Sequence, residues 1–468
     1  MFPFSDIVPC HNLSYLNLSQ NLITGADTTE KTGFGASLLR LDLSRNQVSE
    51  PTLLSYTIRS CQNLVFVNFS DNRISGQVNE TETLVSCKKL TTFDISYNLL
   101  YGEITHGFVG DSVKLLDLSY NNFSGVFSRF DFSHCRSLVS LSLSHNALSG
   151  TEFPSSLINC QVLETLDLSY NELKSKIPGA LLSGLKSLME LILRNNRFYG
   201  EIPDELGIAC SSLVVLDMSE NNLYGSIPQS IGNCTNMIWL SLTNNHITGE
   251  IPASLGNLDQ LAILQLGRNL LTGRIPAELG NCRSLIWLDL SGNKLIGSIP
   301  SELSNQAGLP SPANFAGRQF ALLSNMGETS CSSAEQIVEY QGIRAERLDG
   351  YSIVQHPCPS SRIYTGLTLY TFSKNGSMIY LDLSNNFLTG SISQNIGSLT
   401  YLQVLNLGHN ELTGNIPDSF GDLKMIGLLY LSHNNLQGPI PGSLGRLSFL
   451  SALDVSNNNL AGSIPYGG

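Results

Sequence analysis

The stretch Leu285-Ile286-Trp287-Leu288-Asp289-Leu290-Ser291-Gly292-Asn293-Lys294-Leu295 places leucines at a fixed spacing ahead of an asparagine and one further leucine. Leu288 and Leu290, two residues apart, point to one side of a short strand, while Trp287 and Asp289 point to the other. The leucine side makes a core. The asparagine falls where the chain turns away, and its amide can satisfy backbone groups of neighbouring turns that an apolar interior would otherwise strand. The same frame, L-x-x-L-x-L-x-x-N-x-L, recurs with its asparagine at 21, 46, 72, 98, 121, 146, 171, 196, 221, 245, 269 and 293, then at 386, 410, 434 and 458. Successive asparagines lie 23 to 26 residues apart, except across one gap of 93 between Asn293 and Asn386.

A frame of this kind at a period within about 20–29 residues specifies a leucine-rich-repeat solenoid. The expected class is α/β: a superhelix of sixteen coils with a parallel sheet on its concave face. At about 4.8 Å per coil that sheet runs about 75 Å along its curve. Its x positions form an open surface suited to binding. After the asparagine many coils read G-x-I-P, as in Gly249 to Pro252, Gly273 to Pro276 and Gly297 to Pro300. Glycine permits the turn and proline fixes φ, so this motif shapes the convex side and carries no chemistry. It resembles the plant-type subclass of these repeats.

Composition narrows the function. The 468 residues carry 26 Lys+Arg against 38 Asp+Glu, a net charge of −12. Nucleic acid is not an expected partner, because affinity for it comes from neutralising phosphates. No run of about 18 apolar residues spans a bilayer, and the Met1-Phe2-Pro3-Phe4-Ser5-Asp6 start lacks the basic flank and apolar stretch of a secretory signal. Catalysis is not expected either. The eight histidines are scattered, and no G-x-S-x-G elbow, H-E-x-x-H helix or phosphate-cradling glycine loop occurs. No cofactor is implied.

Eight of the ten cysteines, at 10, 61, 87, 135, 160, 210, 234 and 282, occupy one slot, three residues before the first leucine of a coil. They read as small buried thiols stacked along the solenoid, not as metal ligands, for which C-x-x-C pairs or a neighbouring histidine cluster would be needed. Cys331 and Cys358 lie inside the gap, where a disulfide between them would stabilise a small segment by about 3.5 kcal/mol through chain entropy. Sequons begin at Asn12, Asn17, Asn68, Asn79, Asn122, Asn233 and Asn375. Together with that disulfide they favour an exported glycoprotein.

The gap holds 69 residues more than one period. The organisation expected is repeats over 1–307, an inserted domain over 308–376 and four more coils over 377–468. The insertion lacks the repeat frame and is rich in aromatic and β-branched runs, so it is expected to fold separately against the concave face. The flanking coils carry Trp239, Ile263 and Trp287, then Tyr380 and Val404, at an outward strand position. Large apolar side chains there need a cover or a ligand. One reading is that the insertion packs directly on them. The other is a crevice for a rigid apolar small molecule, where burying about 300 Å² of apolar surface would contribute roughly 7 kcal/mol.

A resemblance bears on that choice. Tyr340-Gln341-Gly342-Ile343-Arg344-Ala345-Glu346-Arg347-Leu348, then Asn375-Gly376-Ser377-Met378-Ile379-Tyr380-Leu381-Asp382-Leu383 and Leu405-Asn406-Leu407-Gly408-His409-Asn410, resemble the ectodomains of the brassinosteroid receptor kinases. Arg318-Gln319-Phe320-Ala321 and Arg362-Ile363-Tyr364 are more similar to the receptor-like paralogues than to the main receptor. The resemblance implies an island domain and a steroid pocket lined by Ile286 and Trp287, by Phe320, Leu322, Tyr364 and Thr368 of the insertion, and by Ile379, Tyr380 and Gln403. Two family tyrosines stand here as Phe320 and Leu322, and a family phenylalanine as Gln403.

The resemblance further implies a somatic-embryogenesis-type co-receptor kinase docking at Ser448, Phe449 and Ser451, on the extracellular face of the plasma membrane. Family members also have a signal peptide, an N-terminal cap, a membrane helix and a serine/threonine kinase. Measured against them the chain reads as a fragment that begins in mid-solenoid, with membrane attachment only through the missing helix. The alternatives are a peptide- or protein-binding repeat module with a structural island, or a truncated decoy.

Overall fold

The computed structural model describes residues 10–464 apart from 11, 26–36, 79–83, 105–107, 209, 307–318, 326–335, 341–360 and 366–377. Three strands of the insertion are described by their backbone alone.

Each leucine frame forms a three-residue strand, and sixteen of these stack in chain order into one parallel sheet, from Tyr15–Asn17 to Ala452–Asp454. The inward residues Leu240, Leu264, Leu288, Leu381 and Leu405 are all at or near zero exposure in one continuous core. The insertion does not interrupt this stack. Trp287 pairs with Tyr380, Leu288 with Leu381 and Asp289 with Asp382, the register that every other neighbouring pair keeps.

The asparagines bind coil to coil. The Asn293 side-chain oxygen accepts from the Leu271 N–H at 3.0 Å, and its Nδ2 donates to Leu266 O at 3.0 Å and Leu290 O at 3.1 Å. Asn386 repeats this across the insertion, accepting from Leu295 N–H at 3.0 Å and donating to Leu290 O at 3.0 Å. The residue before each asparagine turns with positive φ, 54° at His409 and 61° at Gly292. Replacing Asn386 with Leu therefore orphans buried groups on both sides of the junction, at about 1–3 kcal/mol for each such group. We expect Asn386→Leu to increase proteolytic cleavage near the insertion at least tenfold; unchanged cleavage would show that this rung does not hold the junction.

Convex segments are mostly single 3₁₀ turns beginning just after proline, such as Gln229–Asn233, Ala253–Asn257 and Ala277–Asn281. A longer α-helix, Thr52–Arg59, sits in an early coil that lacks the G-x-I-P motif. Gly297, at φ +80°, makes the turn into that motif. The fold is thus a helix-poor α/β solenoid, as expected.

The slot cysteines correct the expectation of stacked thiols. Cys61–Cys87, Cys135–Cys160 and Cys210–Cys234 are disulfides, with Cα atoms 5.1, 5.0 and 5.1 Å apart. The physical reason is coil stacking: one slot on two adjacent coils is held at the separation a disulfide requires. Cys282 keeps its thiol, buried and donating to Leu255 O at 3.3 Å, and burial pushes its pKa up to about 12. Cys10 is exposed and also unpaired. The pair Cys331 and Cys358 lies outside the described residues.

Within the insertion, Gln319–Asn325 is the central strand of an antiparallel sheet, flanked by Gln336–Tyr340 and Ser361–Thr365. Its register pairs Leu322 with Tyr364 on one side and Phe320 with Glu339 on the other.

Candidate ligand-binding site

A second apolar cluster, separate from the leucine core, lies on the concave face at the coils that flank the insertion. It comprises Val214, Val215, Trp239, Ala262, Ile263, Ile286, Trp287 and Tyr380, with Met189, Ile192, Ile238 and Val404 packed at its margin. Two columns of the repeat build it. One is the outward strand column already noted. The other is the residue just before each strand, which runs Met189, Val214, Ile238, Ala262, Ile286 along the coils. The family resemblance names Ile286, Ile379 and Gln403 from this second column, and its members Met189, Val214, Ile238 and Ala262 are legible in the same spacing.

Trp287 and Tyr380 are 4% and 5% exposed and stack face to face, ring centroids 3.7 Å apart and planes within 6°. Parallel register on adjacent strands forces the overlap. Trp239 donates its indole N–H to Gln265 Oε1 at 3.2 Å, whereas the indole N–H of Trp287 is buried with no acceptor among the described residues. Apolar walls with one unused donor suit a largely apolar ligand that carries an oxygen.

Beside the stack, in the next strand position, lie two carboxyls. Asp289 accepts from the Ser291 N–H at 2.9 Å and hydroxyl at 2.7 Å. Asp382 accepts from the Ser384 N–H at 2.9 Å, Asn406 Nδ2 at 3.1 Å and the Tyr380 hydroxyl at 3.3 Å. Burial raises the pKa of both, and the Asp382 charge adds to the effect on Asp289, which is pushed up to about 7. The sequence reading passed over this pair, because Asp recurs at that position in many coils. Among the described residues no group of three or more His, Cys, Asp or Glu is arranged to hold a metal ion.

Five of the nine predicted pocket residues come together. Ile286 and Trp287, Ile379 and Tyr380, and Gln403 sit on three consecutive coils, with the Ile379 N–H donating to Ile286 O and the Gln403 N–H to Ile379 O, both at 2.8 Å. Gln403 and Ile379 are half-buried. Phe320, Leu322 and Tyr364 occupy the strand positions given above, and Thr368 lies outside the described residues. Ser448, Phe449 and Ser451 are exposed on the last coil, Phe449 at 60%. Of the sequons, Asn12, Asn17, Asn122 and Asn233 are exposed and Asn68 is half-buried, accepting from the Ser70 N–H at 2.9 Å. Asn79 and Asn375 lie outside the described residues.

Comparison with known proteins bears on the same region. The brassinosteroid receptor island domain profile matches residues 308–373, and leucine-rich-repeat profiles match 186–247, 235–295, 379–436 and 400–460. The serine/threonine-protein kinase BRI1-like 1 of Arabidopsis thaliana is 52% identical over 101 residues, 22% of this chain and 9% of that protein. Protein BRASSINOSTEROID INSENSITIVE 1 of the same plant is 45% identical over 93 residues, 19% of this chain and 8% of that protein. The matched segments thus span less than a tenth of these relatives' length. Among solved structures, the plant peptide hormone receptor RGFR1 in complex with RGF2 aligns with TM-score 0.69 and 26% identity, covering 98% of this chain and 65% of that one. A TDR receptor aligns with TM-score 0.71 and 27% identity, covering 92% and 62%. In sequence and architecture the chain is a leucine-rich-repeat receptor ectodomain with an island domain, of the type found in the brassinosteroid receptor kinases.

Proposed function

We propose that this ectodomain binds a brassinosteroid between the island domain and the concave cluster, and presents it to a somatic-embryogenesis-type co-receptor kinase at Ser448, Phe449 and Ser451. The observation that carries the reading is the Trp287–Tyr380 stack. It is an apolar wall formed by the two coils that the island separates in sequence and the sheet rejoins. Ile286, Ile379 and Gln403 extend that wall, and the family resemblance assigns Phe320, Leu322, Tyr364 and Thr368 of the insertion to the ligand as well. The three disulfides suit an oxidising compartment, in keeping with the extracellular face of a plasma membrane.

In this role the chain does no chemistry. It removes a rigid apolar molecule from water, and the ordered ligand and island together offer a composite surface to the partner. Calorimetry with a brassinosteroid tests it. A saturable signal at micromolar concentration or below is expected, in line with the area a steroid buries. No heat from the folded ectodomain would refute it.

A further inference from the structure

At the end of the apolar cluster away from Tyr380, and lined by its members Met189, Val214 and Ile238, runs a groove of about 840 Å³ that the steroid reading leaves unused. Met189, Val214 and Ile238 form its floor, one from each of three consecutive coils. Serines, Thr235 and amide side chains form its outer wall. Ser187 Oγ donates to Gln161 O at 3.0 Å, Ser212 Oγ to Lys186 O at 2.9 Å and Asn236 Nδ2 to Ser211 O at 2.6 Å. These bonds tie the wall to the preceding coil and leave side-chain oxygens as acceptors. Two lining residues are ionisable, Glu164 at one end and Asp259 at the other, and both are exposed carboxylates.

Glu164 and Asp259 belong to coils four steps apart, which at about 4.8 Å per step places them roughly 20 Å from each other. An extended peptide covers that distance in about six residues at about 3.3 Å each. The acids at neighbouring strand positions are engaged within the sheet: Glu190 accepts from Thr165 Oγ1 at 3.3 Å, Asp217 accepts from the Ser219 N–H at 3.0 Å, and Glu220 pairs with Arg194. An open groove lined by three apolar side chains, by hydroxyl and amide acceptors and by a carboxylate at each end matches one kind of occupant. We propose that this groove docks an extended peptide carrying basic side chains about six residues apart, with an apolar side chain between them on the Met189, Val214 and Ile238 floor. The peptide would lie alongside the steroid site without occupying it, so the inference stands whether or not the steroid reading holds.

Fluorescence anisotropy with labelled ten-residue peptides decides the matter. One peptide carries arginines six residues apart with a valine midway; a second has the same composition with the arginines adjacent. Expected are saturable one-to-one binding of the first, about tenfold tighter than of the second, and about tenfold weakening in Glu164→Gln/Asp259→Asn. Glu278→Gln, which removes an exposed acid on the convex side, should change nothing. Equal binding of both peptides, equal weakening by Glu278→Gln, or no saturable binding up to about millimolar concentration would overturn the proposal.

Discussion

Trp287→Ala is expected to weaken brassinosteroid binding about a hundredfold while leaving the solenoid folded. The indole is one of two in the concave cluster, and on the proposed reading its removal takes away both the contact with the ligand and the support that holds the Tyr380 ring flat against it. Losing about 3 kcal/mol of apolar contact corresponds to a little over a hundredfold in affinity. Trp287 is itself buried, so stability should fall too, by about 3–5 kcal/mol, but the leucine core is untouched and the solenoid should stay folded. Leu288→Ala, one residue on, opens a cavity in the core at about 2–5 kcal/mol and should be seen first in thermal unfolding. Trp287→Phe separates shape from hydrogen bonding, since it keeps a ring and loses the indole N–H. Calorimetry on the three variants, with circular dichroism as the control for folding, reads all of these. Wild-type affinity in a folded Trp287→Ala protein would remove the stack from the binding site.

The second large effect concerns pH. Asp289 has its pKa raised from 3.8 to about 7, by burial first and by the neighbouring Asp382 charge second. Hydrogen bonds from Ser291 and the Arg268 charge oppose the shift and do not cancel it. The folded state therefore holds a proton on Asp289 between about pH 4 and 7 that the unfolded chain has released. Stability falls with rising pH wherever the folded state binds more protons. The contribution is full below about pH 4, is lost progressively as pH rises through 7, and is constant above. Asp382 is shifted in the same direction, and its partners Tyr380, Ser384 and Asn406 are neutral.

A displacement of one pH unit is worth about 1.4 kcal/mol, and the partial solvent contact of Asp289 trims the net effect to about 1–2 kcal/mol. The thermal midpoint of the wild type should thus fall between pH 5 and 7.5, and Asp289→Asn should flatten that fall. A wild-type midpoint that rises across this range would refute the assignment.

These expectations differ in how far the sequence anticipated them. The Trp287 wall was legible: an aromatic at an outward strand position on coils flanking a long insertion has few uses besides meeting a cover or a ligand. The paired carboxyls were not, because the reading of Asp289 as one more strand aspartate is correct for its backbone and silent about its surroundings. At Asp289 burial and a second acid in register, Asp382, combine to retain a proton, and neither is recorded in the frame itself. The Met189–Val214–Ile238 column, by contrast, is a plain periodic signal once the residue before each strand is followed.

By itself the sequence determined the coil count, the inward leucines, the asparagine rungs and the position of the island, since each follows from spacing within one repeat and the repeat is written out sixteen times. Only the tertiary structure decided which slot cysteines join, which aromatic rings overlap and which carboxyl keeps its proton. Those outcomes depend on distances between residues a full coil or more apart. Stacking brings such residues to about 5 Å, and no local pattern records which neighbours will meet there.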